Sequence, residues 1–161
     1  MARNKSTEER GVYKQLVHKA LFSNKDIVEL LLGSTDDMSQ GEIFEGFKKH
    51  CMSHLFVDDT ITDTDSFIFY DIVMTLHPQV KRCGIVMYVL CHRDILDDYD
   101  NEKYPGNRAD ALSQMVEETL VADDKTAMEF GIGHLSLDKV EIYNSRRMYG
   151  VAMQFSVPNF R

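Results

Sequence analysis

The chain has 161 residues, 43% of them hydrophobic, with 18 Lys and Arg against 26 Asp and Glu and a formal net charge of −8. That length fits one domain able to bury a core without covalent staples. The acidic balance argues against a surface built to hold phosphates, because nucleic-acid binding needs clustered Lys and Arg to release counterions.

The 3 cysteines, Cys51, Cys83 and Cys91, form no CxxC pair and read as reduced, buried thiols. The N-terminus is polar, with no signal peptide, and no apolar run reaches membrane-spanning length, so a soluble protein made in a cytoplasm is expected.

In chain order, Ser6 and Glu9 have capping-box spacing, and Val12, Leu16 and Ala20 recur at helical intervals, predicting a first helix over residues 7–21. Ser23 or Asn24 caps a second short helix carrying Ile27, Val28, Leu30 and Leu31, which Gly33 closes. Ser39 and Glu42 form another capping box, opening a third helix with Ile43, Phe44, Phe47 and Cys51 on one stripe and its end near Ser53. Residues 57–65 are polar and Thr-rich, a loop or short edge strand.

Two β-rich runs follow, 66–76 and 83–91, joined by a link containing His77 and Pro78 and read as a hairpin. Side chains alternate along a strand, so Ile68, Tyr70, Ile72 and Met74 share one face and Phe67, Phe69 and Val73 the other. In the second run Ile85, Met87, Val89 and Cys91 oppose Val86, Tyr88 and Leu90. Both faces are apolar. The chain's own helices can cover one, and a neighbouring subunit is expected to help cover the other.

Residues 94–107 read as an exposed acidic loop with Tyr104, Pro105 and Gly106, long enough to be a contact candidate. Asn107 caps a helix over 108–121 in which Ala109, Leu112, Met115, Val116 and Leu120 repeat at three and four residues. A polar connection over 123–130 leads to a second pair of strands, 132–142 and 148–157. In the last, Tyr149, Val151, Met153, Phe155 and Val157 alternate with Gly150, Ala152, Gln154 and Ser156, so the large apolar side should face the helices.

The expected fold is therefore α+β, an antiparallel or mixed four-stranded sheet of two hairpins packed by helices. A helical segment, 1–56, and a sheet domain, 57–161, should form one continuous unit.

No motif specifies a reaction, and no catalytic residue, cofactor or metal is assigned. His50 and His54 have the four-residue spacing of zinc ligands on a helix, with Cys51 beside them, but no third ligand is assignable. Asp59, Asp63 and Asp65 lack the glycine and terminal glutamate of a calcium loop. Cys91 and His92 are consecutive in a strand and point to opposite faces, so they make no dyad. Gly131 and Gly133 precede a strand and form no phosphate cradle. The candidates are contact residues: Asp97, Asp98, Asp100, Tyr104 and Arg108 around the acidic loop, and Arg146 and Arg147 in the last turn.

The order of helices, hairpin, sheet-packing helix and second hairpin resembles the tail-terminator and head-to-tail joining proteins of tailed bacteriophages. The resemblance is carried by residues 67–71, Asn107 to Asp110, Gly131 to Gly133 and 149–155. It implies a virion protein of the phage neck: a homo-oligomeric ring of six subunits that caps the tail tube, meets the tube protein and the head connector or adaptor, and lets DNA pass without specific binding, with no membrane role. A head-completion or stopper protein of the same neck, and a non-viral monomeric α+β protein-binding module, are the alternative readings.

Overall fold

A computed structural model describes residues 6–55, 61, 63–76, 81–121 and 135–157. Helix α1 spans Ser6–Phe22, α2 Lys25–Leu32 and α3 Gln40–His50; strand β1 is Cys51–Met52, β2 Ser66–Leu76 and β3 Lys81–His92. Then come a single 3₁₀ turn at Arg93–Ile95, helix α4 at Arg108–Val121, strand β4 at Ser136–Asn144 and strand β5 at Met148–Val157.

The helix signals in the sequence act as local chemistry requires. The Asn24 side chain accepts from the N–H groups of Asp26 (2.9 Å) and Ile27 (3.3 Å), satisfying donors that the first turn of α2 leaves free. Gly33 ends that helix at φ 78°, its N–H donating to the Glu29 carbonyl at 2.8 Å. Ser39 and Glu42 form a reciprocal capping box on α3, and Asn107 and Asp110 exchange equivalent bonds at 3.0 Å at the start of α4.

The strands form one five-stranded sheet in the order β1-β2-β3-β5-β4. β2, β3, β5 and β4 run antiparallel in sequence, as two hairpins should, and β1 adds a short parallel strand on β2, with Cys51 opposite Ile68 and Met52 opposite Phe69. This corrects the expected end of α3. The helix stops at His50, and Cys51 takes an extended conformation (φ −129°, ψ 104°) because the free edge of β2 offers it a backbone partner. A short edge strand stands at Cys51–Met52, and of the segment 57–65, expected as a loop or short edge strand, residues 57–60 and 62 lie outside the described residues. The His77–Pro78 link, the connection over 123–130, the Gly131 and Gly133 segment, Asp58 and Asp59 fall outside the described residues.

Ile68, Tyr70, Ile72, Ile85, Met87, Val89, Met153, Phe155 and Val157 join Val17 and Leu21 of α1, Ile27 and Leu31 of α2, Phe47 of α3 and Leu112, Met115 and Val116 of α4 in one buried core. The helical and sheet portions thus share a single interior. Register explains the selection: Tyr70 faces Met87, which faces Met153, and Ile72 faces Ile85, which faces Phe155, so even-spaced apolar residues of three strands stack in rows beneath the helices. Gly150 sits where β5 approaches β3 so closely that a Cβ would lie 1.8 Å from the Val89 carbonyl oxygen. Only glycine fits there.

The other sheet face carries a second, smaller cluster of Phe67, Phe69, Leu90 and Met148, flanked by Met52, Ile61, Tyr88 and Tyr143. His50 stacks on Phe67 with ring centroids 5.3 Å apart, and Tyr143 meets Tyr88 edge-on at 5.5 Å. At this end the chain shelters its own outer face, so no neighbouring subunit is needed to cover these aromatics. Further along the same face Val73 is 51% exposed.

Candidate interaction surfaces

The acidic loop is fastened to the body at several points. The Asp94 N–H donates to His92 Nδ1 (3.1 Å), the Arg108 N–H donates to the Leu96 carbonyl (3.0 Å), and Arg108 Nε donates to the Ile95 carbonyl (3.1 Å). The Arg108 guanidinium also lies over the Tyr99 ring, 5.2 Å from its centroid. Tyr104 is only 2% exposed. Its hydroxyl points between Glu118 Oε2 (3.0 Å) and Asp26 Oδ2 (3.3 Å), tying the loop to α4 and α2. Burial, aided by the Glu118 carboxylate, raises the Tyr104 pKa, while Lys103 acts in the opposite direction. Tyr104 and Arg108 therefore hold the loop's shape, and Asp97, Asp98 and Asp100 are the candidates left exposed to solvent.

Arg146 and Arg147 are exposed at the β4–β5 turn, which Ser145 closes by donating its N–H to the Met148 carbonyl (2.9 Å) and accepting from the Met148 N–H (3.1 Å). The Arg93 N–H donates to the Arg147 carbonyl and Arg93 Nε to the Ser145 carbonyl, both at 2.9 Å. The arginine turn is thus docked against the first residues of the acidic loop. The His92 N–H donates to the Asp65 carbonyl at 3.0 Å, bringing the entry to β2 to the same end of the sheet. The entry to β2, the start of the acidic loop and the arginine turn, distant in sequence, thus meet at one end of the sheet.

Among the described residues the histidines and cysteines do not assemble a site. His50 is the last residue of α3 and its Nδ1 lies 2.9 Å from the Ser66 carbonyl, whereas His54 is beyond the helix, so the four-residue spacing does not place them on one helical face. Among the described residues no group of three or more His, Cys, Asp or Glu could hold a metal. Burial pushes the thiols up, Cys51 to about 12 and Cys83 and Cys91 to about 11, which keeps them protonated and weakly nucleophilic. No described helix is long and apolar enough to cross a membrane.

Two features had no sequence signal of their own, because each is made by elements that meet only in the fold. One is the contrast between the sheet edges. Beyond the two residues paired with β1, the edge of β2 is closed by α1: Arg10 Nε donates to the Ile72 carbonyl (2.8 Å), the Arg10 guanidinium pairs with Asp71, and Lys14 Nζ lies 3.0 Å from the same carboxylate. The Ile72 N–H donates to Asp71 Oδ1 at 2.8 Å. Burial works to raise the Asp71 pKa, but the Lys14 and Ile72 hydrogen bonds and the charges of Lys14 and Arg10 outweigh it and hold the carboxyl below its ordinary value. At the other margin β4 is the terminal strand among the described residues, with Val140 51% and Ile142 75% exposed.

The second feature is a groove of about 530 Å³ between α1, α3 and β1. Phe22, Phe44 and Met52 give it an apolar lining, and among the described residues its fully charged side chains are all lysines: Lys14, Lys19 and Lys48. His18 also lines it, its pKa lowered by burial first and by Lys48 second. The His18 ring meets the Phe47 ring edge-on at 5.1 Å.

No curated protein matches the chain. A family match covers residues 24–157, well over half of the sequence and every element from α2 to β5. On that match the chain belongs to the YomW family, a prophage-associated name compatible with a phage origin.

Proposed function

We propose that this protein is a structural virion component of a phage neck, forming a ring that caps the tail tube and joins the tail to the head connector. The observation that carries the reading is the unequal finish of the sheet. One edge is closed by the chain's own β1, Arg10 and Asp71, while the other is a nine-residue strand with two exposed β-branched side chains. A long exposed edge strand is a template for association, and proteins that remain alone usually blunt such edges. The exposed side chains of Asp97, Asp98 and Asp100 in the acidic loop and of Arg146 and Arg147 in the last turn supply polar contacts to the tube below or the connector above. In this reading the mechanism is geometric and no bond is made or broken.

The net charge of −8 is consistent with a ring through which DNA moves, since a weakly repulsive lumen lets the duplex slide where a basic one would hold it. The assembled protein would then reside in the virion, as a hexamer on the phage resemblance. Negative-stain imaging of the purified protein mixed with tail tubes tests the proposal. Rings seated on tube ends are the expected result, and bare ends with the protein free in the background would overturn it.

A monomeric protein-binding module is the second reading, favoured by the burial of Phe67, Phe69, Leu90 and Met148 within one chain. A chain that neither self-associates nor binds tube ends would favour it.

A further inference from the structure

We propose that the lysine-rimmed groove receives the β4 edge of a second copy of this chain, so that successive subunits join head to tail; this rests on the ring reading and names its lateral contact. Position is the first argument. The strand order puts β1, which lines the groove, at one margin of the sheet and β4 at the other. A contact between two different patches on opposite sides leaves each newly joined subunit with its other patch still free. Such a contact repeats, and it closes into a ring when the rotation allows. A β4-to-β4 contact would instead use up both patches and stop at a two-fold dimer.

Shape and chemistry agree with this placement. Val140 and Ile142 are two residues apart on an edge strand, so they point to the same side, and register puts them in line with Met153 and Val151 on the core side of the sheet. Most of their surface beyond the helices is bare. The groove offers Phe22, Phe44 and Met52 to match, with Phe44 39% exposed. The sheet itself cannot simply continue from copy to copy along β2, because Arg10 and Asp71 already occupy that edge.

Charge is the third argument. Copies that each carry −8 repel, so a lateral contact has to set a locally basic patch against an acidic one. Lys14 is engaged by Asp71, which leaves Lys19 and Lys48 at the groove to meet the incoming strand. Lys48 lies 4.3 Å from the Phe44 ring centroid, and its pairing with Glu45 is loose at 3.7 Å. Along β4 the Lys139–Glu141 pair (2.6 Å) balances itself, which leaves Asp138 as the strand's unbalanced charge for these lysines.

Complementary variants test the contact. Ile142→Glu disables the donor strand and leaves the groove intact, whereas Lys19→Glu with Lys48→Glu disables the groove and leaves the strand intact. Light scattering across a concentration series should show wild-type mass rising beyond that of a monomer. Each variant alone should stay monomeric, with self-association weakened at least ~10-fold. An equimolar mixture of the two variants should give a species of dimer mass and nothing larger, since only one good contact is possible. Val140→Thr with Ile142→Thr repeats the donor arm with β-compatible side chains should the glutamate variant fail to fold. Self-association of the groove variant by itself, or a wild-type chain that stays monomeric throughout, overturns the contact. Rings on tail tubes formed by both variants would overturn it too while leaving the proposed neck function standing; bare tube ends with wild type would remove that function as well.

Discussion

Among the described residues the two margins of the sheet begin from the same difficulty, a row of backbone groups with no strand beside them beyond the short β1, and are finished in opposite ways. At β2 the chain uses its own side chains: Arg10 takes the Ile72 carbonyl, Asp71 takes the Ile72 N–H, and Lys14 and Arg10 hold Asp71 in its charged form. At β4 the edge keeps Val140 and Ile142 in solvent, beside a Lys139–Glu141 pair of 2.6 Å on the same strand. Closing an edge with charged groups prevents pairing there, and leaving one open invites it. On the proposed ring, the difference separates the margin where one subunit ends from the margin where the next would join. Two of the closing residues, Arg10 and Lys14, sit on α1, outside the residues matched to the family, while their partner Asp71 and the short β1 lie within them.

The comparison is broken most severely at Gly150, through which β5 links the open β4 edge to the core. Gly150→Ala drives a Cβ into the Val89 carbonyl and should cost about 3 kcal/mol of unfolding free energy, as overpacking of a tight site does, read from urea melts. Survival of the wild-type midpoint would mean that β5 moves freely away from β3.

Next in size is the closed edge. Asp71→Asn should cost about 1 kcal/mol, a figure kept low because the Arg10 side chain is 42% exposed and screened by water. The sign of its pH dependence follows from the lowered Asp71 pKa. A carboxyl held below its unfolded value of about 3.9 stabilises the fold above that pH, and the gain is lost as pH falls through the folded value. Acid denaturation of the variant should therefore show a shallower loss below about pH 4 than wild type.

His18 gives a smaller effect in a different window. Its lowered pKa means that the unfolded chain takes up the proton first, so stability should decline as pH drops below about 6.5. His18→Phe keeps a ring against Phe47 and removes the titration, and melts between pH 5 and pH 7 should lose their slope. An unchanged slope would assign it to another group.

The smallest effect on folding is expected at the mixed-charge end. Arg146→Glu with Arg147→Glu should leave stability within about 0.5 kcal/mol of wild type, because the bonds that dock this turn to Arg93 use the carbonyls of Ser145 and Arg147, and the Arg147 Nη1 bond to the Ile61 carbonyl is exposed and long at 3.4 Å. Tail joining should fall while the melt is unchanged. Loss of the folded state would make the arginines part of the turn's architecture.

Much of the fold was legible because it depends on near neighbours in the chain. The Asn24, Ser39 and Asn107 caps, the closure of α2 at Gly33, and the alternation in β2, β3 and β5 are set by residues within a few positions of one another. The end of α3 is not legible locally, because the helical stripe continues through Cys51 while the competing partner, β2, lies many residues away. The contact candidates were legible as residue types but not as roles. Tyr104 and Arg108 carry the same sequence signal as their acidic neighbours, yet only the fold supplies the Glu118, Asp26 and Ile95 oxygens that turn them inward. The expectation of an unsheltered outer face failed at Phe67 and Phe69 because His50, Met52 and Tyr143 arrive there from elements whose positions periodicity does not reveal.

The sequence by itself determined an α+β chain of two hairpins and capped helices, buried thiols and an acidic surface, since propensity, alternation and charge act over short range or as sums. Only the tertiary structure decided which edge is closed and which open, which face is sheltered, and where Lys19 and Lys48 meet Phe22, Phe44 and Met52. Those outcomes are long-range pairings, and a backbone group or a lysine acquires its partner only when the intervening chain has folded back upon it.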